Sequence, residues 1–142
     1  MNKRLAFLFI SLFLFSFTVV PNYEADTIYG KWEGISKEGN QLLLTFHADG
    51  YIDMAIAEIK LSGRGFELDG DKGQLTWKLD KEKNPHHLDI SVTLTEKDTT
   101  ETMCCLLEFS DKDHFKLATS FNEQRPDNFD ELSTFYFKRA QK

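Results

Sequence analysis

In one short segment after another, this chain carries apolar residues at every second position. His87 to Leu94 is the cleanest case. Leu88, Ile90, Val92 and Leu94 share one parity, and His87, Asp89, Ser91 and Thr93 the other. A period of two puts successive side chains on opposite faces, so such a segment folds as a half-buried β-strand. The alternating segments are Thr27–Ser36, Gln41–His47, Tyr51–Ile59, Gln74–Leu79, His87–Leu94, Thr102–Phe109, Phe115–Ser120 and Ser133–Arg139. Turn residues separate them. Asp49-Gly50 is a strong hairpin signal, because both central positions of such a turn need φ > 0. The polar stretch Lys60–Gly73 reads as a connection, with Phe66–Leu68 as a candidate short strand. Eight strands at short, even spacing predict an all-β chain, an eight-stranded antiparallel up-and-down barrel or a small sandwich.

Parity assigns Trp32, Leu42, Leu44, Phe46, Ile52, Met54, Ile56, Leu75, Trp77, Leu88, Ile90, Val92, Met103, Cys105, Leu107, Phe109, Phe115, Leu117, Phe135 and Phe137 to the interior. Arg139 shares the parity of Phe135 and Phe137 and therefore points inward at one end. An unpartnered inward charge costs several kcal/mol, on the order of a lost ion solvation. Trp32 on the first strand is the natural partner, since a guanidinium on an indole face contributes about 0.5–2 kcal/mol. That contact also joins the terminal strands, where a barrel closes. Gly30, Trp32 and Arg139 are the expected closure residues.

Residues 1–25 form a separate unit. Lys3 and Arg4 make a basic start, Leu5 to Val20 is apolar and uncharged, and Pro21 breaks the run before polar Asn22 and Glu24. This is the pattern of a secretory signal peptide, with cleavage expected after Ala25. The apolar run falls short of the roughly 20 residues of a membrane span. No Cys stands near its end, so a diacylglyceryl anchor is not expected. An uncleaved leader anchoring the chain to a membrane is the alternative. Residues 26–142 then form one domain, periplasmic or secreted. Removing Lys3, Arg4 and Glu24 from 17 basic and 23 acidic residues leaves 15 and 22, a net charge near −7. That sign argues against nucleic acid and against an anionic membrane surface.

Cys104 and Cys105 are adjacent. On a strand they point to opposite faces. Two unlinked thiols are the expectation, against a strained vicinal disulfide or an intermolecular bridge through the outward thiol.

Gly30-Lys31-Trp32 on the first strand and Arg139 on the last resemble the Gly-x-Trp and terminal Arg of lipocalin-like domains. Asn84-Pro85-His86-His87-Leu88-Asp89-Ile90, Arg125-Pro126 with Phe129, and Phe137-Lys138-Arg139 are in addition similar to a family of exported bacterial lipocalin-like proteins. The resemblance implies a lipocalin-like β-barrel over 26–142. Three residues follow Arg139, so the C-terminal helix of longer lipocalins is not expected.

No nucleophile elbow, zinc-protease helix, phosphate loop or Cys-x-x-Cys stands in the chain, and no enzyme is expected. Asp53, Glu58, Asp89 and Glu108 are the carboxylates open to acid–base work; alternation puts Asp53 and Asp89 outside, in solvent. His86 and His87 diverge on a strand, and nothing brings His47 or His114 to them, so neither a metal nor a cofactor is expected. The loop candidate Arg125, Pro126 and Phe129 reads two ways. It is a recognition lid at the barrel mouth, or a structural plug with Pro126 stiffening a turn, Phe129 closing the end and Arg125 paired to a carboxylate such as Asp127 or Asp130. Phe46, Met54, Trp77, Leu107, Phe109 and Phe115 are the expected lining of a ligand cavity. An eight-stranded barrel either fills with side chains or holds one small ligand. The expectation is a monomeric exported protein binding a small hydrophobic molecule. Its alternative is a filled barrel that acts as an envelope interaction or inhibitor protein, presenting loops such as Lys60–Gly73 and Phe121–Leu132 to a protein partner.

Overall fold

The structure, a computed structural model, describes residues 28–120, 123–130 and 133–141. The expected leader lies outside them. Ten strands follow one another: β1 (Gly30–Ser36), β2 (Gln41–Phe46), β3 (Ile52–Ile56), β4 (Ile59–Leu61), β5 (Phe66–Leu68), β6 (Asp71–Asp80), β7 (His86–Leu94), β8 (Thr99–Asp111), β9 (His114–Ala118) and β10 (Thr134–Arg139). They form one antiparallel sheet in the order β4-β3-β2-β1-β10-β9-β8-β7-β6-β5. Each strand pairs with its neighbours in sequence, except that β4 and β5, the two edges, do not pair with each other, and β1 pairs with β10. The sheet curls into a nearly closed barrel.

The eight expected strands become ten by one correction and by the pairing of the candidate short strand. Tyr51–Ile59 does not run through as one strand. Ala57 turns the chain at φ 53°, and Ile59–Leu61 folds back as β4, pairing Leu61 with Met54. Phe66–Leu68 pairs with β6 as β5. Ile56, assigned to the interior by parity, is in consequence 48% exposed at the rim.

Two seams complete the curl, and they differ. β1 meets β10 as a regular ladder, from Trp32 opposite Arg139 to Ser36 opposite Phe135. β3 meets β6 through isolated contacts. Tyr51 bridges Thr76, and the Trp77 amide donates to the Gly50 carbonyl at 2.9 Å. Between them lies Gly63. Its carbonyl accepts from the Leu75 amide at 2.9 Å, and its own amide donates to Asp53 Oδ1 at 2.7 Å. A Cβ on Gly63 would lie 2.4 Å from the Ile52 carbonyl oxygen. Only glycine lets one backbone approach another this closely.

The interior follows parity. Trp32, Leu44, Phe46, Ile52, Leu75, Leu88, Ile90, Cys105, Leu107, Phe115, Leu117 and Phe137 are buried, with Met54, Trp77, Val92, Met103, Phe109 and Phe135 packed partly exposed against them. Ile28, just ahead of β1, is also buried. Leu106 and Ala118 have outward parity and are nevertheless buried.

Gly63→Ala is expected to lower stability by about 1–3 kcal/mol, the usual cost of overpacking, because backbone atoms on β3 must shift. Urea denaturation measures it. Unchanged stability would mean that the β3–β6 seam relaxes freely.

Candidate functional site

One end of the barrel is sealed. Arg139 places its guanidinium 4.2 Å from the Trp32 ring centre. Its Nη1 donates to the Tyr29 carbonyl at 2.9 Å and Nη2 to the Lys112 carbonyl at 2.9 Å. Nε donates to Asp113 Oδ1 at 3.1 Å. The Trp32 indole N–H donates to the Ile28 carbonyl at 2.7 Å. A planar fork with five donors suits this end, because it satisfies carbonyls from two chain segments while its face covers a ring. Gly30 holds φ +107° beside it, with Arg139 Nη1 3.6 Å from where a Cβ would stand.

Beneath the seal, rings fill the interior. Phe115 on β9 stacks on Phe137 at 4.8 Å between centroids and meets Trp32 edge-on at 4.6 Å. It also meets Phe109 at 5.6 Å and Phe46 at 6.5 Å. Phe46 on β2 meets Trp77 on β6 at 5.2 Å, and Trp32 on β1 meets Phe109 on β8 at 6.3 Å. These last contacts join strands that are not neighbours in the sheet. Of the six residues expected to line a cavity, Phe46, Trp77, Phe109 and Phe115 belong to this cluster. Leu107 is buried. Met54 lies apart, opposite Leu61. The other end is open: Met54, Leu61, Phe66, Val92, Met103 and Phe135 are only partly buried there.

The Arg125 loop takes a place that neither sequence reading foresaw. Arg125 Nη2 pairs with Asp89 Oδ1 at 2.6 Å, and Nη1 donates to the Cys105 carbonyl at 2.6 Å. Lys116 Nζ lies 4.3 Å above the Phe129 ring. Asp89 and Lys116 face outward, so the loop straps the outer wall of β7, β8 and β9, and Phe129 does not plug the barrel end. Arg125 does pair with a carboxylate, but with the distant Asp89 and not with the nearby examples Asp127 or Asp130. Leu106 and Ala118 sit between the two anchor points, which accounts for their burial.

Burial pushes the Cys105 thiol up to about 12, so it is inert as a nucleophile. Cys104 is half-buried, and both cysteines are free. Burial, then the Arg125 and Lys83 charges, hold His87 below its ordinary value. His47 Nε2 bonds Asp53 Oδ2 at 2.7 Å, His86 the Lys83 carbonyl, and His114 the Asp111 carboxylate. The histidines thus have separate surroundings, and among the described residues no three metal-binding side chains converge. Asp53 bonds His47 and the Gly63 amide, and Asp89 pairs with Arg125.

Asp53 is the residue that sequence reasoning misjudged. Alternation makes it a solvated outer carboxylate; the fold makes it the link between His47 and Gly63. Burial raises its pKa, but the Gly63 amide and His47 outweigh this and hold the carboxyl below its ordinary value of 3.8. A carboxyl lowered in the folded state stabilises fully above its unfolded pKa, and the contribution disappears as pH falls through the folded value. The stability of Asp53→Asn is therefore expected to fall less steeply below pH 3.8 than that of the parent. Urea midpoints across this range check it; parallel acid limbs would contradict it.

Arg139→Met keeps the apolar stem but removes the charge and three donors. The expected loss is about 2–4 kcal/mol, and Arg139→Lys recovers only part of it because an ammonium cannot reproduce the fork. Equal stability of the two variants would contradict a role for the guanidinium geometry.

No protein-family model, curated protein or solved structure matches this chain.

Proposed function

We propose that this chain is an exported, lipocalin-like barrel that works without catalysis as an interaction or inhibitor module, presenting its edges and loops to a protein partner in the cell envelope. One observation carries this reading. Rings from non-adjacent walls touch inside the barrel, Phe46 against Trp77 and Phe115, and Trp32 against Phe109. Side chains that meet across an interior occupy the space a lumenal ligand would take. The leader-like N-terminus supports an envelope setting. Among the described residues no helix is long and apolar enough to cross a membrane.

A small hydrophobic ligand is the second reading, and the open end favours it. Met54, Val92, Met103 and Phe135 lie partly buried there, and a short apolar group resting on them would gain roughly 25 cal/mol per Å² covered.

Native mass spectrometry of the protein recovered from its own envelope separates the two. The expected result is a chain free of small molecules, with a fraction carried in a complex with another protein. A stoichiometric hydrophobic adduct on the single chain would overturn the interaction reading.

A further inference from the structure

The sheet has two edges, β4 and β5. Both spring from the Ser62–Gly65 turn, where the Gly65 amide donates to the Ser62 carbonyl at 3.3 Å. Gly63 in that turn is held between Ile52 on β3 and Leu75 on β6. From this apex β4 and β5 run toward the open end. They do not pair with each other, and most Cα pairs between them lie more than 8 Å apart, well beyond the roughly 4.8 Å between bonded strands. The result is a notch in the barrel wall, closed at its base and open at the rim.

The side chains around the notch are arranged as if for one more strand. On β4, Ile59 and Leu61 share the inward parity of their partners Ile56 and Met54. On β5, Phe66 and Leu68 share the inward parity of Gly73 and Asp71, set by Leu75. Lys60 and Glu67 face outward. Four of the inward-parity residues lie at the rim or below it with their apolar surface uncovered to different degrees: Ile56 is 48%, Ile59 49% and Leu68 40% exposed, and Phe66 is half-buried. Inward parity with this exposure is what a missing neighbour leaves behind. On the outer side, depressions of about 320 Å³ and 370 Å³ flank the notch. Lys60 and Ser62 line one, Glu67 and Lys72 the other.

We infer that the β4–β5 notch receives a short extended segment of a partner protein, added as a strand with alternating apolar and polar residues. This rests on the interaction reading and names the class of partner. An exposed edge offers a row of backbone donors and acceptors that only another extended backbone matches. The entering strand turns its apolar residues onto Ile56, Ile59, Leu61, Phe66 and Leu68. Its outward residue lies between Lys60 and Glu67, whose opposite charges favour a polar side chain and bar an apolar one. Edges of three residues each, above a base closed by Gly63, limit the paired length to a few residues. Lys60 and Glu67 also explain why the edges do not join indiscriminately, since charged, very short edges discourage uncontrolled pairing.

The test uses the full chain, ¹⁵N-labelled, and the capped heptapeptide Lys-Val-Thr-Val-Thr-Val-Lys. The amide signals of Ile59, Lys60, Leu61, Phe66, Glu67 and Leu68 are expected to shift saturably, and those that face the notch, alternate residues on each edge, to exchange at least tenfold more slowly with solvent. A control peptide with its three valines consecutive, and one N-methylated at its central amides, are expected to bind at least tenfold more weakly. Ile59→Lys and Leu68→Lys alter exposed side chains, so the remaining spectrum stays unchanged while affinity falls at least tenfold. The inference is overturned if the heptapeptide does not saturate at millimolar concentration. It is also overturned if the controls bind equally well, or if shifts fall on the outer wall instead. Protection of the notch-facing amides in the free monomer means that this chain fills its own notch; protection that rises with protein concentration means that a second copy does. Either result overturns it too. A failed peptide together with a protein complex in the envelope sinks the notch and leaves the interaction reading standing.

Discussion

The fold turns on the convergence of rings at Phe115. Side chains from β1, β2, β8 and β10 all reach this one residue on β9: Trp32, Phe46, Phe109 and Phe137. Aromatic side chains bury more surface per residue than any others, and edge-on or offset contacts add about 0.5–1.5 kcal/mol per pair beyond that burial. The rings help to hold the sheet curled, because Trp32 and Phe46 reach Phe115 from strands that share no backbone hydrogen bond with β9. Arg139 then caps the cluster, covering the Trp32 face and satisfying carbonyls that the curl would otherwise strand.

The two ends of the barrel differ as a result. The sealed end has the ring cluster, the guanidinium and the regular β1–β10 ladder. The open end has partly covered Met, Leu and Val side chains and the two free edges. Between them, Asp53 and Gly63 hold β3 to β6 by a few directed contacts where the other junctions have a full ladder. Few buried contacts and partly exposed hydrogen bonds mark regions that open at low free energy. Binding surfaces are drawn from such regions, and the recognition proposed for this chain accordingly falls to the rim and the notch.

Much of this was legible in the chain itself. Alternation located the long strands, and parity named most of the buried side chains, because a period of two leaves little freedom about which face is covered. Trp32 and Arg139 were legible as a pair because an inward arginine demands a partner. The failures have equally definite causes. The signal at Ala57 and Glu58 is slight: neither is a usual turn former, and only the parity break between Ile56 and Ile59 marks the fold-back, so β4 was read as part of β3. Ile56 was misassigned with it. The Arg125–Asp89 pair joins residues 36 apart, and local sequence offers nearer carboxylates. Asp53 looked like an ordinary surface acid because its amide partner, Gly63, reaches it only once the barrel has curled. Contacts made by closure have no local signal.

The filled interior is tested most directly by nuclear Overhauser contacts from the Phe115 ring in the protein as isolated. Strong cross-peaks to the rings of Trp32 and Phe137, with weaker ones to Phe109 and Phe46, are expected from centroid separations of 4.6 Å and 4.8 Å, then 5.6 Å and 6.5 Å. Cross-peaks from Phe115 to protons of a bound small molecule, with those to Phe46 missing, would contradict it: the barrel would then hold a ligand where its own side chains are placed here.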